Sequence, residues 1–174
     1  IGRTGKWFGF QHYNIEPDIV AIGKGLGNGY PVSVTAISKK ISNSLNSKQY
    51  IYSQSHQNDP LGAAVANEVI QTITDEKLVE RSKKLGNKIV HRLNEIKEVN
   101  PLIKEIRGRG LMIAIELTKY ADLIRKQLLK QGFILVKRSG VEVLRMDPAL
   151  TINEQDIDSF LETFEQIIQD IENE

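Results

Sequence analysis

Lys24 is the residue of this sequence whose surroundings best suit covalent chemistry. It follows a short apolar run, residues 18–22, and lies between Gly23 and Gly25. The β-branched residues of that run are typical of a strand buried on both faces, which would bring the lysine stem near the interior of a sheet. Partial burial lowers the pKa of a lysine amine, and a neutral amine can attack a carbonyl carbon. The residues alone leave open a surface lysine in a flexible turn.

The glycines around Lys24 indicate a loop, and they match neither common nucleotide-binding template. Glycine occupies alternating positions of the segment 23–31 (GKGLGNGYP), which is incompatible with a regular helix. A P-loop requires serine or threonine directly after the lysine, where this chain has Gly25. A dinucleotide fingerprint requires a further glycine at position 28 or 30, where the chain has Asn28 and Tyr30.

Strands and helices are predicted on both sides of this loop. The apolar run at 18–22 predicts one strand and residues 32–37 a second. A short helix is predicted over 38–47 with Ser38 as its N-cap. The polar stretch 49–59 is expected to be irregular.

Helices are predicted for the middle of the chain. Pro60 suits a first helical turn, and the nearly all-apolar residues 61–72 predict a buried helix. Asp75 is expected to cap its continuation. Apolar residues then recur at helical spacing over 78–99, with charged residues on the opposite face.

The last third of the chain predicts a small α/β arrangement. Strands are expected over residues 102–107, 111–117, 134–137 and 141–146, and helices over 119–131 and 153–171. Gly132 is expected to end the first of these helices. An Asn153/Asp156 pair lies near the start of the second.

The composition is that of a globular protein and disfavours several other classes. The chain has 174 residues, 23 basic and 22 acidic side chains and no cysteine. This balanced charge disfavours nucleic-acid binding, and no apolar stretch reaches the roughly 20 residues that cross a membrane. The lack of cysteine excludes disulfides and fits a cytoplasmic location. No metal is expected, because the three histidines, at 12, 56 and 91, lack metal-ligand spacing.

Three motifs resemble the cofactor-lysine region of class III aminotransferases. They are RTGK at 3–6, PDI at 17–19 and the glycine-rich segment 23–31. The family pattern is roughly R-T-G-K, then P-D-I/L, then K-x-L/I-G-x-G-x-P, and the matches here are ordered and closely spaced. The resemblance implies that Lys24 is the Schiff-base lysine, which holds pyridoxal 5′-phosphate (PLP) as an imine. It also implies that the freed Lys24 amine, with a pKa near neutral, moves a proton at the substrate carbon.

Later segments extend the resemblance over nearly the whole chain. Residues 53–61 (SQSHQNDPL) occupy the place of the family's phosphate-binding segment H-T-x-x-G-N-P-L, where Ser55 matches the hydroxyl residue. In the family this segment usually reaches the cofactor of the neighbouring subunit, which implies a homodimer. Residues 143–150 (VLRMDPAL) resemble L-R-x-x-P-x-L, where Arg145 matches the arginine that binds the substrate carboxylate. Residues 106–112 resemble a structural V-R-G-x-G-L-M turn.

Two of these site residues also have purely structural interpretations. Ser55 could belong to a polar surface loop that caps the helix beginning at Pro60, and Arg145 could form a structural ion pair on a strand edge. No histidine is assigned a proton-transfer role.

The resemblance implies an α/β protein that is the C-terminal part of a fold-type I PLP-dependent transferase. Residues 1–60 would be the tail of the large PLP-binding domain, 61–99 the linking helices and 100–174 a small C-terminal α/β domain. The chain is expected to be part of a longer protein, because it contains neither the aspartate that pairs with the pyridine nitrogen nor the aromatic and glycine-rich elements upstream of it. The isolated chain is therefore expected to bind PLP poorly and to catalyse little.

The implied reaction is transfer of an amino group from an amino acid to a 2-oxo acid. The donor is expected to be an ω-amino acid such as 4-aminobutyrate, or acetylornithine. Racemases, epimerases, decarboxylases and aminomutases of the same fold use the same lysine and remain alternatives. A further alternative is a non-catalytic fragment that associates with itself through the apolar helix after Leu61.

Overall fold

The computed structural model describes residues 1–173, which divide into two compact units. The N-terminal unit comprises Ile1 and Phe8–Lys77. The C-terminal unit comprises Gly2–Trp7 and the chain from Leu78 onwards. The short segment Gly2–Trp7 therefore belongs with residues that follow it by more than 70 positions.

The N-terminal unit holds a two-stranded sheet, two 3₁₀ turns and two helices. The strands are β1 (Ile19–Ile22) and β2 (Val34–Ile37), which pair antiparallel with Ile19 opposite Ile37. The 3₁₀ turns are Gly9–His12 and Lys24–Leu26, and the helices are α1 (Lys39–Ser47) and α2 (Pro60–Asp75). Both predicted strands, the loop between them and both helices are confirmed.

The predicted burial of β1 is wrong. Within the unit β1 pairs only with β2, and its side chains alternate between exposed and partly exposed. Ile19 is 57% exposed. An apolar run of β-branched residues predicts a strand that can be buried. Within this unit, however, no further layer packs on the two-stranded sheet, so the side chains of β1 stay exposed or partly exposed.

The starts of α1 and α2 follow the patterns predicted from the sequence. The Ile41 N–H donates to Ser38 Oγ at 3.4 Å, which confirms Ser38 as the N-cap of α1. Pro60 is confirmed in the first turn of α2, whose N-cap is Asp59.

Two expectations for α2 are wrong. Only Gly62, Ala66 and Ile73 of this helix are buried, whereas Leu61 is 57% exposed. Asp75 is the last residue of α2 and caps nothing beyond it. The helix stops there because Lys77 adopts a positive φ of 51°, which is incompatible with continuing it.

The C-terminal unit is a four-stranded antiparallel sheet with three helices. The sheet order is β3 (Ile103–Arg109), β4 (Met112–Leu117), β6 (Val143–Met146) and β5 (Val136–Lys137). The helices are α3 (Leu78–Val99), α4 (Ala121–Lys130) and α5 (Glu154–Asn173). All four predicted strands and all three predicted helices are present. The Asn153 amide donates to Asp156 at 3.3 Å beside the start of α5.

The core of this unit is one continuous cluster of buried apolar side chains. Buried side chains of α3 at helical spacing (Leu85, Ile89, Leu93 and Ile96) pack with those of the sheet and of α4 and α5. Phe164 of α5 and Ile115 of β4 have no exposed surface. Burial of this kind contributes roughly 1.5–3 kcal/mol per large side chain, so this core is the main source of the unit's stability.

The backbone of α3 packs directly against the turn between β3 and β4. A Cβ on Gly86 would lie 2.0 Å from the Gly110 carbonyl oxygen, and one on Gly110 would lie 2.4 Å from the Arg3 oxygen. Gly110 also has a φ of +54°, which suits glycine in the turn. The structural role predicted for this turn is confirmed, although Gly108 lies within β3 rather than in the turn.

The segment 61–99, predicted to link two domains, is divided between the units. Helix α2 lies in the N-terminal unit and α3 in the C-terminal unit, with the division between Lys77 and Leu78. Among residues 1–173, no helix combines the length and the apolar character that a bilayer crossing requires.

Candidate functional site

Lys24 lies at the junction between β1 and the 3₁₀ turn Lys24–Leu26. Its backbone has a φ of 50°, which is uncommon for a residue other than glycine. The turn is held by a hydrogen bond from the Gly27 N–H to the Lys24 carbonyl oxygen at 3.3 Å, and by burial of Leu26. The turn therefore holds the main chain of the lysine while its side chain is exposed.

The expected partial burial of Lys24 is not found. Its side chain is exposed, because the two-stranded sheet before it has no covering layer within the unit. Its amine makes no hydrogen bond or ion pair with the residues that the structure describes. An amine without a competing carboxylate is free to react with an aldehyde once a base removes its proton.

Tyr30 and Asp59 connect the lysine loop to the start of α2. The Tyr30 hydroxyl donates to Asp59 Oδ2 at 3.1 Å, across 29 positions of sequence. Asp59 also accepts from the N–H groups of Leu61 and Gly62, at 3.2 and 3.0 Å. One carboxylate thus caps the helix and ties down the end of the loop that begins with Lys24.

These contacts perturb both ionisable groups. The Gly62 N–H, assisted by the Tyr30 hydroxyl and the Leu61 N–H, lowers the pKa of Asp59. The hydrogen bond to Asp59 raises the pKa of Tyr30. The sequence Asp59-Pro60 carries the signal of a helix start, but nothing in the sequence marks Tyr30 as its distant partner.

Ser55 lies in the exposed segment that leads to this helix. The Gln57 N–H donates to the Gln54 carbonyl oxygen at 3.1 Å, which makes Ser55 a central residue of a tight turn. Its hydroxyl makes no hydrogen bond within residues 1–173. The loop is polar and ends at a helix cap, as its structural interpretation requires, but it is Asp59 and not Ser55 that caps the helix.

Arg145 lies on β6, between β4 and β5. Its backbone is opposite Ala114 on one side and Val136 on the other. Its Nε donates to the carboxylate of Asp147, and the side chains are 47% and 21% exposed, respectively. The structural ion pair considered from the sequence is therefore present, but on an inner strand rather than an edge.

Arg3 approaches the same segment from the N-terminal residues of the chain. Its Nη1 donates to the carbonyl oxygens of Asp147 and Pro148, at 2.8 Å for Pro148. The Arg3 main-chain oxygen accepts from Ser82 Oγ at 2.7 Å and from the Leu111 N–H at 2.8 Å. The RTGK motif suggested the family, but no pattern in the sequence indicated that Arg3 contacts residues 144 positions away.

The predicted site residues fall into two groups. Lys24 and Ser55 belong to the N-terminal unit, where the Tyr30–Asp59 hydrogen bond joins their loops. Arg145 belongs to the C-terminal unit, with Asp147 and Arg3. The first group offers an amine and a hydroxyl on loops, and the second offers a guanidinium on a strand.

Comparison with known protein families identifies the family to which the chain with these site residues belongs. The profile of the family "Aminotransferase class-III" matches residues 1–168. The chain belongs to the class III aminotransferase family. This result confirms the resemblance seen in the motifs around Lys24. Class III aminotransferases are PLP-dependent, so the family's cofactor is the one expected from the sequence.

Individual relatives agree with the family assignment. Over 170 residues the chain is 36% identical to ornithine aminotransferase 1 of Staphylococcus aureus, covering 97% of this chain and 42% of that protein. It is 33% identical to a leucine/methionine racemase of Thermococcus litoralis, covering 99% of this chain and 40% of that protein. The chain thus spans about two fifths of the length of these relatives.

A solved structure supports the predicted α/β fold. The acetylornithine aminotransferase of Elizabethkingia anophelis superposes with a TM-score of 0.82 at 30% sequence identity. The superposition covers 98% of this chain and 43% of that one. The expectation of part of a fold-type I transferase is confirmed by this agreement.

The donors of the N-terminal unit fit PLP by their chemistry. The cofactor carries an aldehyde, which an unpaired lysine amine can capture, and a phosphate, which hydroxyl and backbone N–H donors bind. Lys24 and Ser55 have these groups, exposed and without partners among the described residues.

Proposed function

We propose that the protein containing this chain is a PLP-dependent aminotransferase that moves an amino group from an amino acid to a 2-oxo acid. The observation that carries the proposal is the unpaired amine of Lys24 after a strand and within a glycine-rich turn. The ornithine and acetylornithine aminotransferases among its relatives favour a donor with a terminal amino group. Acetylornithine and ω-amino acids such as 4-aminobutyrate are the proposed donors.

Lys24 performs the two chemical tasks of the reaction. Its amine would hold the cofactor covalently, and once substrate has displaced it the freed amine would move the proton at the carbon that bears the reacting amino group. PLP, when bound, would withdraw electrons from that carbon and so weaken its C–H bond. The hydrogen bond from the Gly27 N–H to the Lys24 carbonyl oxygen and the buried Leu26 hold the lysine main chain in its turn.

Ser55 is the proposed phosphate ligand. Its hydroxyl and the N–H groups of its turn can donate hydrogen bonds to phosphate oxygens. We propose that the protein is a homodimer and that Ser55 serves the cofactor of the neighbouring subunit. The support is the match of residues 53–61 to the family's phosphate-binding segment.

Arg145 is the proposed ligand of the substrate carboxylate. A guanidinium binds a carboxylate through two parallel hydrogen bonds, which fixes orientation better than the single point charge of a lysine. Its position on an inner strand gives the side chain a rigid base.

The cofactor assignment is tested on the natural full-length protein purified with PLP. We expect borohydride reduction followed by peptide mass mapping to find the cofactor on Lys24. Lys24→Ala should abolish that adduct and lower turnover by at least about 100-fold, the usual contribution of a proton-transferring group. Lys40→Ala, which removes an exposed lysine of α1 in the same unit, is the matched control. An adduct on another lysine, or full turnover without Lys24, contradicts the proposal.

Racemisation of amino acids is the second candidate, because a leucine/methionine racemase is also a relative. The same lysine serves both outcomes. Incubation of one amino-acid enantiomer with and without a 2-oxo acid separates them. Amino transfer requires the acceptor and yields a new amino acid, whereas racemisation proceeds without it.

Two expectations from the sequence stay predictions. The isolated chain of residues 1–174 is expected to bind PLP poorly, and absorbance at the wavelength of lysine-bound PLP would measure this. The cytoplasmic location is likewise untested.

A further inference from the structure

We propose that Arg3 and Asp147 are positioning residues that orient the guanidinium of Arg145 toward a substrate carboxylate. The inference rests on the proposed role of Arg145 in carboxylate binding. It adds two residues that neither the motifs nor the family comparison assigns a function. All three residues belong to the C-terminal unit.

The contact between Asp147 and Arg145 leaves the binding end of the guanidinium available. Asp147 accepts from Nε, the nitrogen nearest the stem of Arg145. The two terminal nitrogens of Arg145 make no hydrogen bond within the described residues. These two nitrogens form the fork that binds a carboxylate bidentately. Asp147 therefore holds one edge of the planar group and leaves its end free.

Asp147 is itself held in place on both sides. It directly follows Met146, a buried residue at the end of β6, and precedes Pro148, whose ring restricts the conformation of the residue before it. Arg3 adds hydrogen bonds to the carbonyl oxygens of Asp147 and Pro148. A carboxylate on such a fixed main chain can select one rotamer of a long arginine side chain, which otherwise has much rotational freedom.

Arg3 is anchored in turn by the core of the unit. Its carbonyl oxygen accepts from the fully buried Ser82 and from the Leu111 N–H. Gly110 lies so close that a Cβ there would be 2.4 Å from that oxygen. A series of direct contacts thus runs from the core through Arg3 and Asp147 to Arg145.

A different role for Asp147 makes the opposite prediction. If the carboxylate occupied Arg145 as a competitor of the substrate, its removal would strengthen binding of carboxylates. If it orients Arg145, its removal weakens binding, because a displaced guanidinium cannot make both hydrogen bonds at once.

The experiment measures carboxylate binding to the natural full-length protein loaded with PLP. Pentanoate, an unreactive carboxylic acid, is the probe, and its dissociation constant is measured by calorimetry. Asp147→Ala should raise this constant and the KM of the amino acid about tenfold, since misplacement of a binding group by about 1 Å costs up to about 100-fold. Asp147→Asn should recover most of the affinity, because its amide oxygen still accepts from Nε.

Arg3→Lys tests the next contact in the series. Arg3 donates to both carbonyl oxygens from Nη1. A lysine keeps the charge but does not place its nitrogen where Nη1 lies, because its stem is shorter than the arginine side chain. A smaller rise in the pentanoate dissociation constant is therefore expected. Asp122→Ala is the matched control, since it removes a half-exposed carboxylate paired with Arg125 and Lys126 on α4. It should leave pentanoate binding unchanged.

The outcomes distinguish failure of the positioning role of Asp147 and Arg3 from failure of the proposed carboxylate-binding role of Arg145. A reaction with a primary amine that lacks a carboxylate should keep its KM in Asp147→Ala, whereas a general loss of structure would change it. Unchanged or tighter pentanoate binding in Asp147→Ala overturns the positioning role. If Arg145→Lys weakens pentanoate binding while Asp147→Ala does not, only the positioning role fails. If Arg145→Lys has no effect, the proposed role of Arg145 fails as well.

Discussion

The two units hold their proposed functional side chains in different ways. In the N-terminal unit, Lys24 and Ser55 lie on exposed loops joined by one side-chain hydrogen bond, that of Tyr30 with Asp59. In the C-terminal unit, Arg145 lies on an inner strand whose neighbouring residues, Leu144 and Met146, are buried in the core.

The units differ as strongly in apolar burial. Within the described chain, the buried apolar residues of the N-terminal unit are Leu26, Ala66 and Ile73, and all the others belong to the C-terminal unit. Large apolar side chains such as Ile51 are left exposed in the N-terminal unit. Because apolar burial is the main favourable term in folding, we infer that the C-terminal unit is stable by itself and that the N-terminal unit depends on further contacts.

A matched pair of isoleucine truncations provides the largest test of this contrast. Ile115→Ala removes a side chain with no exposed surface, and we expect it to lower the free energy of unfolding by about 2–5 kcal/mol. Ile51→Ala truncates a residue that is 88% exposed, and we expect a change within about 0.5 kcal/mol. Urea titration of both variants measures the difference. Equal effects would contradict the contrast between the units.

The fold was largely predictable where an element carries its own periodic pattern. Helix α3 spans Leu78–Val99 as predicted. Apolar residues recur at helical spacing along all 22 residues of this helix, so the sequence pattern shows where it begins and ends. Strand β5 is shorter than predicted, Val136–Lys137 instead of 134–137, and Ile134 at its predicted start is exposed. The burial predicted for β1 and α2 was wrong, because an apolar run shows what can be buried and not what covers it.

The candidate site was predictable only as far as local motifs reach. Lys24, Ser55 and Arg145 each lie within a short ordered motif. The contacts of Tyr30 with Asp59 and of Arg3 with Asp147 join residues 29 and 144 positions apart. Such pairs follow from the fold and have no signal in the local sequence.

The close packing of α3 in the C-terminal unit gives the second test. Gly86→Ala would bring a Cβ to 2.0 Å from a backbone oxygen that cannot move aside without shifting the β3–β4 turn. We expect a loss of about 1–3 kcal/mol from overpacking, reduced by the roughly 1 kcal/mol that alanine gains over glycine in a helix.

Asn87→Ala is the control for Gly86→Ala. It places alanine at the next, exposed position of α3 and should be neutral or slightly stabilising. Thermal unfolding of both variants measures the comparison. A stabilised Gly86→Ala variant would show that the helix and the turn are less closely packed than described.

The side-chain hydrogen bond between Tyr30 and Asp59 in the N-terminal unit gives a smaller effect. Tyr30→Phe removes the hydroxyl that donates to Asp59 and keeps the ring. We expect faster hydrogen exchange of amides in residues 23–31 and PLP binding weakened by a few-fold, because the loop loses its side-chain link to α2. Tyr50→Phe, a change of the same kind at an exposed tyrosine of this unit, should alter neither. Unchanged exchange in Tyr30→Phe would mean that backbone contacts alone hold the loop.

The smallest expected effect is the pH dependence of the Asp59 cap. Hydrogen bonds from the Gly62 N–H, Tyr30 and the Leu61 N–H hold the pKa of Asp59 below its ordinary value of 3.8. A lowered pKa in the folded state stabilises the fold above pH 3.8, and this contribution is lost as the pH falls through the folded-state pKa. We therefore expect the first turn of α2 to exchange its amides faster, relative to the C-terminal unit, as the pH falls below 3.8.

Asp59→Asn separates titration of the cap from its geometry. Asparagine caps a helix about as well as aspartate but has no acidic proton to gain. The variant should retain α2 at neutral pH and lose the pH dependence of exchange in its first turn. If that dependence persists in Asp59→Asn, another carboxylate controls the acid response, and the cap contributes to the N-terminal unit through its hydrogen-bond geometry rather than through its charge.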